Sequence, residues 1–187
     1  LRSRASPNLG WRRVKMAEQL HTLSILVENK PGVLTRVAGL FARRDFNIKS
    51  LTVGETERAD ISRMTIIVDA ADNAPLEQVT KQLNKLINVL KVVEIPADDS
   101  VERRLLLLKV TANELTRTAV LQIVELFRAH VVHVGKDFVI IESVGTLSKL
   151  EALLASLEPY GVREVVQSGA VAIGRSARSL TDQFKEK

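Results

Sequence analysis

The run Glu28-Asn29-Lys30-Pro31-Gly32-Val33-Leu34 carries the residue types best suited to chemistry in this chain. It follows an apolar segment, Thr22 to Val27, and precedes a segment whose apolar residues fall at helical spacing. Pro31 fixes its own φ, and Gly32 permits a close backbone approach and a sharp reversal. The first backbone N–H groups of a helix have no intrahelical partner, and the helix dipole favours negative charge beside them. Asn29 adds an amide donor and a carbonyl acceptor. Asn47 opens the next predicted strand, and its side chain is expected at the same end of the sheet. Such a set can offer donors to a carboxylate and acceptors to an ammonium group, which is what a free amino acid requires. The plainer reading of the same residues is a tight strand–helix turn with Asn29 capping the helix.

No nucleophile–base pair accompanies this turn. The chain has no cysteine, which removes thiolate metal sites, disulfides and a thiol nucleophile. The three histidines are His21, His130 and His133, and the last two have no acidic partner in a visible motif, so no metal site is expected. No Gly-rich phosphate fingerprint, GxSxG or HExxH occurs. Asp98-Asp99 is a carboxylate pair in a polar turn, and Arg43-Arg44 and Arg103-Arg104 read as solvated element ends. The expected activity is recognition of a small anionic ligand without its transformation.

The elements that must position the turn follow from periodicity. Thr22–Glu28 reads as a strand, and Val33, Val37, Leu40 and Phe41 mark one face of a helix ending near Arg44. Residues 47–54 read as a strand. In 62–70, Met64, Ile66 and Val68 alternate with Arg63, Thr65 and Asp69. Leu76, Val79, Leu83 and Leu86 mark a second helix with Pro75 near its first turn, and Val89–Ile95 a fourth strand. After a polar linker the order recurs. There is a strand at 104–110, a helix through Val120, Ile123, Val124 and Phe127, and a hairpin of 131–134 with 138–144 about Gly135-Lys136-Asp137. A helix through Leu147, Leu150, Leu154 and Leu157 and a strand at 162–167 complete the set.

The fold class is therefore α+β: two tandem βαββαβ ferredoxin-like sandwiches, each an antiparallel sheet with both helices on one face. The expected division is a disordered basic tail at 1–20, a first domain at 21–95, a linker at 96–103, a second domain at 104–174 and a polar tail at 175–187. The other face of the first sheet is expected to carry apolar residues such as Ile67 and Leu51 or Val53. That predicts pairing between subunits and an obligate oligomer.

Charge and composition narrow the partners. The net charge is +5, but residues 1–20 hold five basic side chains against Glu18, so only +1 remains for residues 21–187. A nearly neutral body gives no case for phosphate-backbone binding. RNA-binding domains of this fold class stack bases on sheet aromatics. Neither Thr22–Val27 nor Ser62–Val68 contains one. No run of eighteen apolar residues exists to span a bilayer as a helix. The Arg- and Ser-rich first residues have three readings: a disordered tail, a transit peptide, or sequence upstream of a true start at Met16.

The motifs also carry a resemblance. Leu23-Ser24-Ile25-Leu26-Val27-Glu28-Asn29-Lys30-Pro31-Gly32-Val33-Leu34-Thr35-Arg36-Val37 resembles the start of an ACT domain. It continues with Leu40-Phe41, Arg44, Phe46-Asn47-Ile48, Ser50-Leu51, Ser62-Arg63-Met64-Thr65-Ile66 and Gln82-Leu83-Asn84-Lys85-Leu86. With Leu126-Phe127-Arg128-Ala129, Gly145, Lys149-Leu150 and Gln167-Ser168-Gly169, the set is similar to the small regulatory subunit of acetolactate synthase (acetohydroxyacid synthase).

The resemblance implies a non-catalytic regulatory subunit that activates a large subunit condensing two pyruvates, or pyruvate with 2-oxobutyrate, in branched-chain amino acid synthesis. It implies thiamine diphosphate, Mg²⁺ and FAD on that large subunit and no cofactor on this chain. It further implies a homodimer through ACT domains and feedback inhibition by valine bound at Asn29, Gly32, Val33 and Leu34 of one chain and Asn47 of its neighbour. The implied compartment is the cytoplasm, or an organelle if residues 1–15 are a transit peptide. The competing reading is a free-standing ACT amino-acid sensor controlling another enzyme or transcription. Two positions depart from the family pattern: Asp45 stands where Gly is usual after the first helix, and His133 where Asp is common.

Overall fold

The computed structural model describes residues 20–44, 46–69, 73–177 and 179–180. The expectations for residues 1–19, for Asp45, and for 178 and 181–187 of the polar tail lie outside the described residues. The first unit runs β1 (Leu20–Glu28), α1 (Val33–Ala42), β2 (Ile48–Glu55), β3 (Ile61–Asp69), α2 (Asn73–Leu83) and β4 (Val89–Ile95). Its sheet has the order β2-β3-β1-β4, all antiparallel. The second unit runs β5 (Ser100–Thr111), α3 (Arg117–Leu126), β6 (His130–Val134), β7 (Phe138–Gly145), α4 (Leu147–Leu157) and β8 (Val162–Gln167), with the corresponding order β6-β7-β5-β8, again all antiparallel. A further strand, β9 (Val171–Gly174), follows. The architecture is the expected pair of α+β sandwiches.

Each core lies between a sheet and its two helices. In the first, Leu23, Ile25 and Val27 of β1 and Met64, Ile66 and Val68 of β3 meet Val37, Leu40 and Phe41 of α1 and Leu76, Val79 and Leu83 of α2. In the second, Leu106, Leu108 and Val110 meet Val120 and Val124 of α3 and Leu150, Leu153, Leu154 and Leu157 of α4. At about 25 cal/mol per Å2 of apolar surface removed from water, this burial is the main driving term.

Three expectations change. First, the polar linker is shorter than read, because Ser100 already belongs to β5. Residues 100–103 pair antiparallel with β9, and residues 104–111 pair with β7 and β8. One strand thus spans both units. Second, Leu51 and Val53 do not lie on the face opposite the helices. A register shift between Ile48 and Ser50 sets Leu51 opposite Ile66 and Val53 opposite Met64, both helix-facing. The opposite face carries Thr22, Ser24 and Leu26 of β1, Ile61, Arg63, Thr65 and Ile67 of β3, and Ser50, Thr52 and Gly54 of β2. Third, this face is not left for another subunit alone. The β5–β9 ribbon lies over part of it, with Val101, Val171 and Ile173 facing Thr52, Arg63 and Thr65 across a shared recess.

The units join closely at one point. The Ala170 N–H donates to Ser50 Oγ at 2.7 Å in a buried bond. A Cβ on Gly169 would lie 2.5 Å from the Leu51 carbonyl oxygen and against Thr52 Oγ1. Backbone cannot yield there as a flexible side chain can. Gly169→Val is expected to destabilise the protein by about 1–3 kcal/mol, read as a lower denaturant midpoint with an unchanged fold by circular dichroism.

Candidate functional site

The turn between β1 and α1 is held from three sides. The Glu28 N–H donates to the Asn88 carbonyl at 2.9 Å, the Asn29 N–H to the Asp60 carbonyl at 2.8 Å, and the Lys30 N–H to the Glu28 carbonyl at 2.9 Å. Gly32 is the helix N-cap, at φ 81 and ψ −7, and no side chain caps the helix. That left-handed conformation is why glycine is needed here. The Val33 N–H reaches Lys30 O at 3.4 Å and the Arg36 N–H closes the first helical bond to Gly32 O. The N–H groups of Leu34 and Thr35 between them have no backbone partner among the described residues. These are the free donors that a helix end offers an anion.

Asn29 does not cap the helix. Its Nδ2 donates to the Ala59 carbonyl at 2.9 Å and to Glu55 Oε1 at 3.1 Å, tying the turn to the β2–β3 connection. Asn29 is exposed, and its amide carbonyl has no hydrogen-bond partner among the described residues. Gly32 is exposed, Leu34 is 41% exposed, and Val33 is 4% exposed and packs into the core. Val33 can therefore contribute backbone only.

Asn47 is not at this end of the sheet. β2 starts beside Val68, which also pairs with His21 near the start of β1, whereas the turn follows the end of β1. The chain enters β2 at the far end because α1 runs back along the sheet. Within one chain, Asn29, Gly32, Val33 and Leu34 come together and Asn47 stands apart.

Residues that sequence reasoning did not single out complete the surround. Asn88 Nδ2 donates to Glu28 Oε2 at 2.6 Å, and Arg36 donates to Asn88 Oδ1 at 2.8 Å. Lys30 Nζ lies 3.0 Å from Glu28 Oε2. The Asn88 amide first, and the Lys30 ammonium second, hold the Glu28 carboxyl below the usual carboxylate range. The spacing of Glu28 and Asn88 gave no signal, since sixty residues separate them. His133, the second departure, is exposed, its ring 5.6 Å from Phe138. Among the described residues no three His, Asp or Glu cluster as a metal site, and no helix is long and apolar enough to cross a membrane.

Two tandem βαββαβ sheets, with the free helix end and the Asn-containing turn in the first, define a pair of ACT-type domains. A model for the AHAS small subunit-like ACT domain matches residues 23–91, and one for the small subunit of acetolactate synthase matches residues 103–176. The acetolactate synthase small subunit of Mycolicibacterium smegmatis is 59% identical over 160 residues, covering 86% of this chain and 94% of that one. A probable acetolactate synthase small subunit of Archaeoglobus fulgidus is 52% identical over 155 residues, covering 83% and 96%. The crystal structure of the acetolactate synthase small subunit from Thermotoga maritima superposes with a TM-score of 0.78 at 41% identity, covering 86% of this chain and 99% of that one. The chain belongs to the acetolactate synthase small subunit family, whose members are regulatory subunits by family.

Two outcomes check the geometry. Gly32→Ala meets no steric obstacle, yet it is expected to cost about 1–2 kcal/mol because of the left-handed backbone, as measured by chemical denaturation. Glu28 has a depressed folded-state pKa, so its pairing stabilises the fold above the ordinary carboxylate range and is lost as pH falls through its own lowered value. Asn88→Ala should move the Glu28 carboxyl resonance midpoint upward in an NMR titration.

Proposed function

We propose that this chain activates the thiamine-diphosphate-dependent large subunit of acetolactate synthase and confers feedback inhibition by valine. That enzyme condenses two pyruvates to 2-acetolactate and CO2, the first common step of branched-chain amino acid synthesis. Thiamine diphosphate, Mg²⁺ and FAD belong to the large subunit, and this chain supplies no catalytic group. The complex works in the cytoplasm.

The observation that carries the effector site is the opposite placement of Asn29 and Asn47 on a sheet whose edge is β2. The outer side of β2 has no partner strand among the described residues. Antiparallel pairing of β2 with the same strand of a second copy, about a two-fold axis near the middle of Ile48–Glu55, sets residue 47 of one chain opposite the Glu55 end of the other. Glu55 is the carboxylate that Asn29 touches. Valine then lies between two chains. Its carboxylate takes the free N–H groups of α1 at Leu34, beside Gly32 and Val33. The Asn29 amide carbonyl and Asn47 of the partner take the ammonium and the remaining polar atoms. The homodimer is thus part of the site, and valine favours whichever dimer arrangement the large subunit binds in its inhibited form. The relatives' shared name favours this reading over a free-standing sensor.

The test is pyruvate condensation by the large subunit, with and without this chain, across a valine titration. Activation without valine and inhibition with it are expected. Loss of a charge-assisted hydrogen bond costs about 1.5–3 kcal/mol, so Asn29→Ala and Asn47→Ala should each raise the inhibitory valine concentration roughly ten- to hundredfold while leaving activation intact. Gly32→Asp should abolish inhibition, since it sets a negative charge beside the free N–H groups. Unchanged inhibition in all three variants would remove the site.

A further inference from the structure

The face of the first sheet opposite its helices carries a polar arrangement that the effector site does not use. Register sets Ser24, Thr65 and Thr52 side by side across β1, β3 and β2, and the neighbouring row is Leu26, Arg63 and Gly54. Ser24 is 1% exposed and Thr65 4% exposed. Ser24 Oγ, Thr52 Oγ1 and Arg63 Nε are all buried without a hydrogen-bond partner. Arg63 is partly buried and makes no ion pair among the described residues. A cation withdrawn from water without a counter-charge is costly. Three unmet polar atoms on one sheet face, one of them a guanidinium, mark a place prepared for an anion.

The space beside Thr52 and Arg63 has the matching size and walls, while Ser24 borders the second recess described below. A recess of about 370 Å3 lies between Thr52, Gly54, Arg63 and Thr65 of the sheet and the β5–β9 ribbon, where Arg103 and the apolar Val101, Val171 and Ile173 face it. Glu55 also borders it, with its carboxylate engaged by Asn29. Gly54 leaves the floor open, since a Cβ there would meet nothing within 4 Å. A second recess of about 270 Å3 touches the other side of Arg63, but Glu94 and Asp99 line it and make it the poorer host for an anion.

We infer that the recess between the first sheet and the β5–β9 ribbon is a second ligand site, separate from the α1 helix end, which takes a short aliphatic carboxylate. The carboxylate pairs with the Arg63 guanidinium in the planar geometry that arginine favours, and accepts from the Thr52 hydroxyl. The aliphatic body lies against Val101 and Val171. Because β2 and β3 form one wall and β5 and β9 the other, an occupant ties the two domains together. The apolar walls, and the guanidiniums of Arg63 and Arg103 set against the Glu55 carboxylate, favour a monoanion with a hydrocarbon body over a multiply charged phosphate.

The test is a 1H–15N NMR titration of the full chain with sodium isobutyrate, with ionic strength held constant by sodium chloride. Saturable shifts centred on the amides of Thr52, Gly54 and Thr65 are expected. Neutral isobutyramide should not reproduce them. Arg63→Gln should weaken isobutyrate binding by about tenfold or more. Gly54→Leu, which fills the recess and leaves Arg63 in place, should block it and serves if Arg63→Gln does not fold. Asn47→Ala, a change at the far end of the sheet from the recess, should leave the response intact, which separates failure here from failure of the effector site. No saturable shift, an equal response to isobutyramide, an Arg63-independent response, or saturation by inorganic phosphate but not by isobutyrate would each overturn the proposal.

Discussion

The close approach of Gly169-Ala170 to β2 is the constraint on which the two-domain arrangement rests. A strand edge and a loop backbone meet with no room for a Cβ, and a buried Ser50–Ala170 hydrogen bond fixes the distance. Once the loop is held there, β9 must run back along the start of β5, and the ribbon they form comes down over the first sheet. The second sheet is then oriented by continuity, because β5 is one uninterrupted strand from Ser100 to Thr111. A side chain at position 169 would loosen all of these at once.

The first sheet is consequently asymmetric in what its faces do. The helix-facing side is a dry aliphatic core with few choices open to it. The other side mixes hydroxyls, an arginine whose Nε has no partner among the described residues, and buried Leu26 and Ile67 beneath a thin cover. Buried polar atoms without partners are rare because each forfeits its hydration. Their concentration on one side, together with the free N–H groups at the start of α1, separates the binding surfaces of the domain from its structural core.

Much of the fold was legible because alternation and helical spacing are strong signals in this aliphatic chain. Met64, Ile66 and Val68, and Leu150, Leu154 and Leu157, each mark a face without ambiguity. The failures have specific causes. The irregularity between Ile48 and Ser50 inverts the faces of Leu51 and Val53, and no periodicity announces a bulge. Ser100-Val101-Glu102-Arg103 reads as a polar connection because its partner is only four residues long and lies some seventy residues on. β9 itself buries alanines, Ala170 just before it and Ala172 within it, too small to register as core. In the turn before α1, the positions of Asn29 and Gly32 are legible because a Pro-Gly turn fixes its own geometry. Asn47 was misplaced because its position depends on the direction in which α1 returns. Asn88 and Glu55 were missed because only tertiary structure brings them near.

The shared strand also bears on how such a chain can change over time. A crossover between two related genes at the apparent domain junction, residues 96–103, would give each β5 start a foreign β9 and each first sheet a foreign lid. The ACT half is thus not a free cassette that can be exchanged on its own. Its lid is encoded after the second domain, so recombination must keep residues near 50, 100 and 170 of common ancestry for a hybrid to fold.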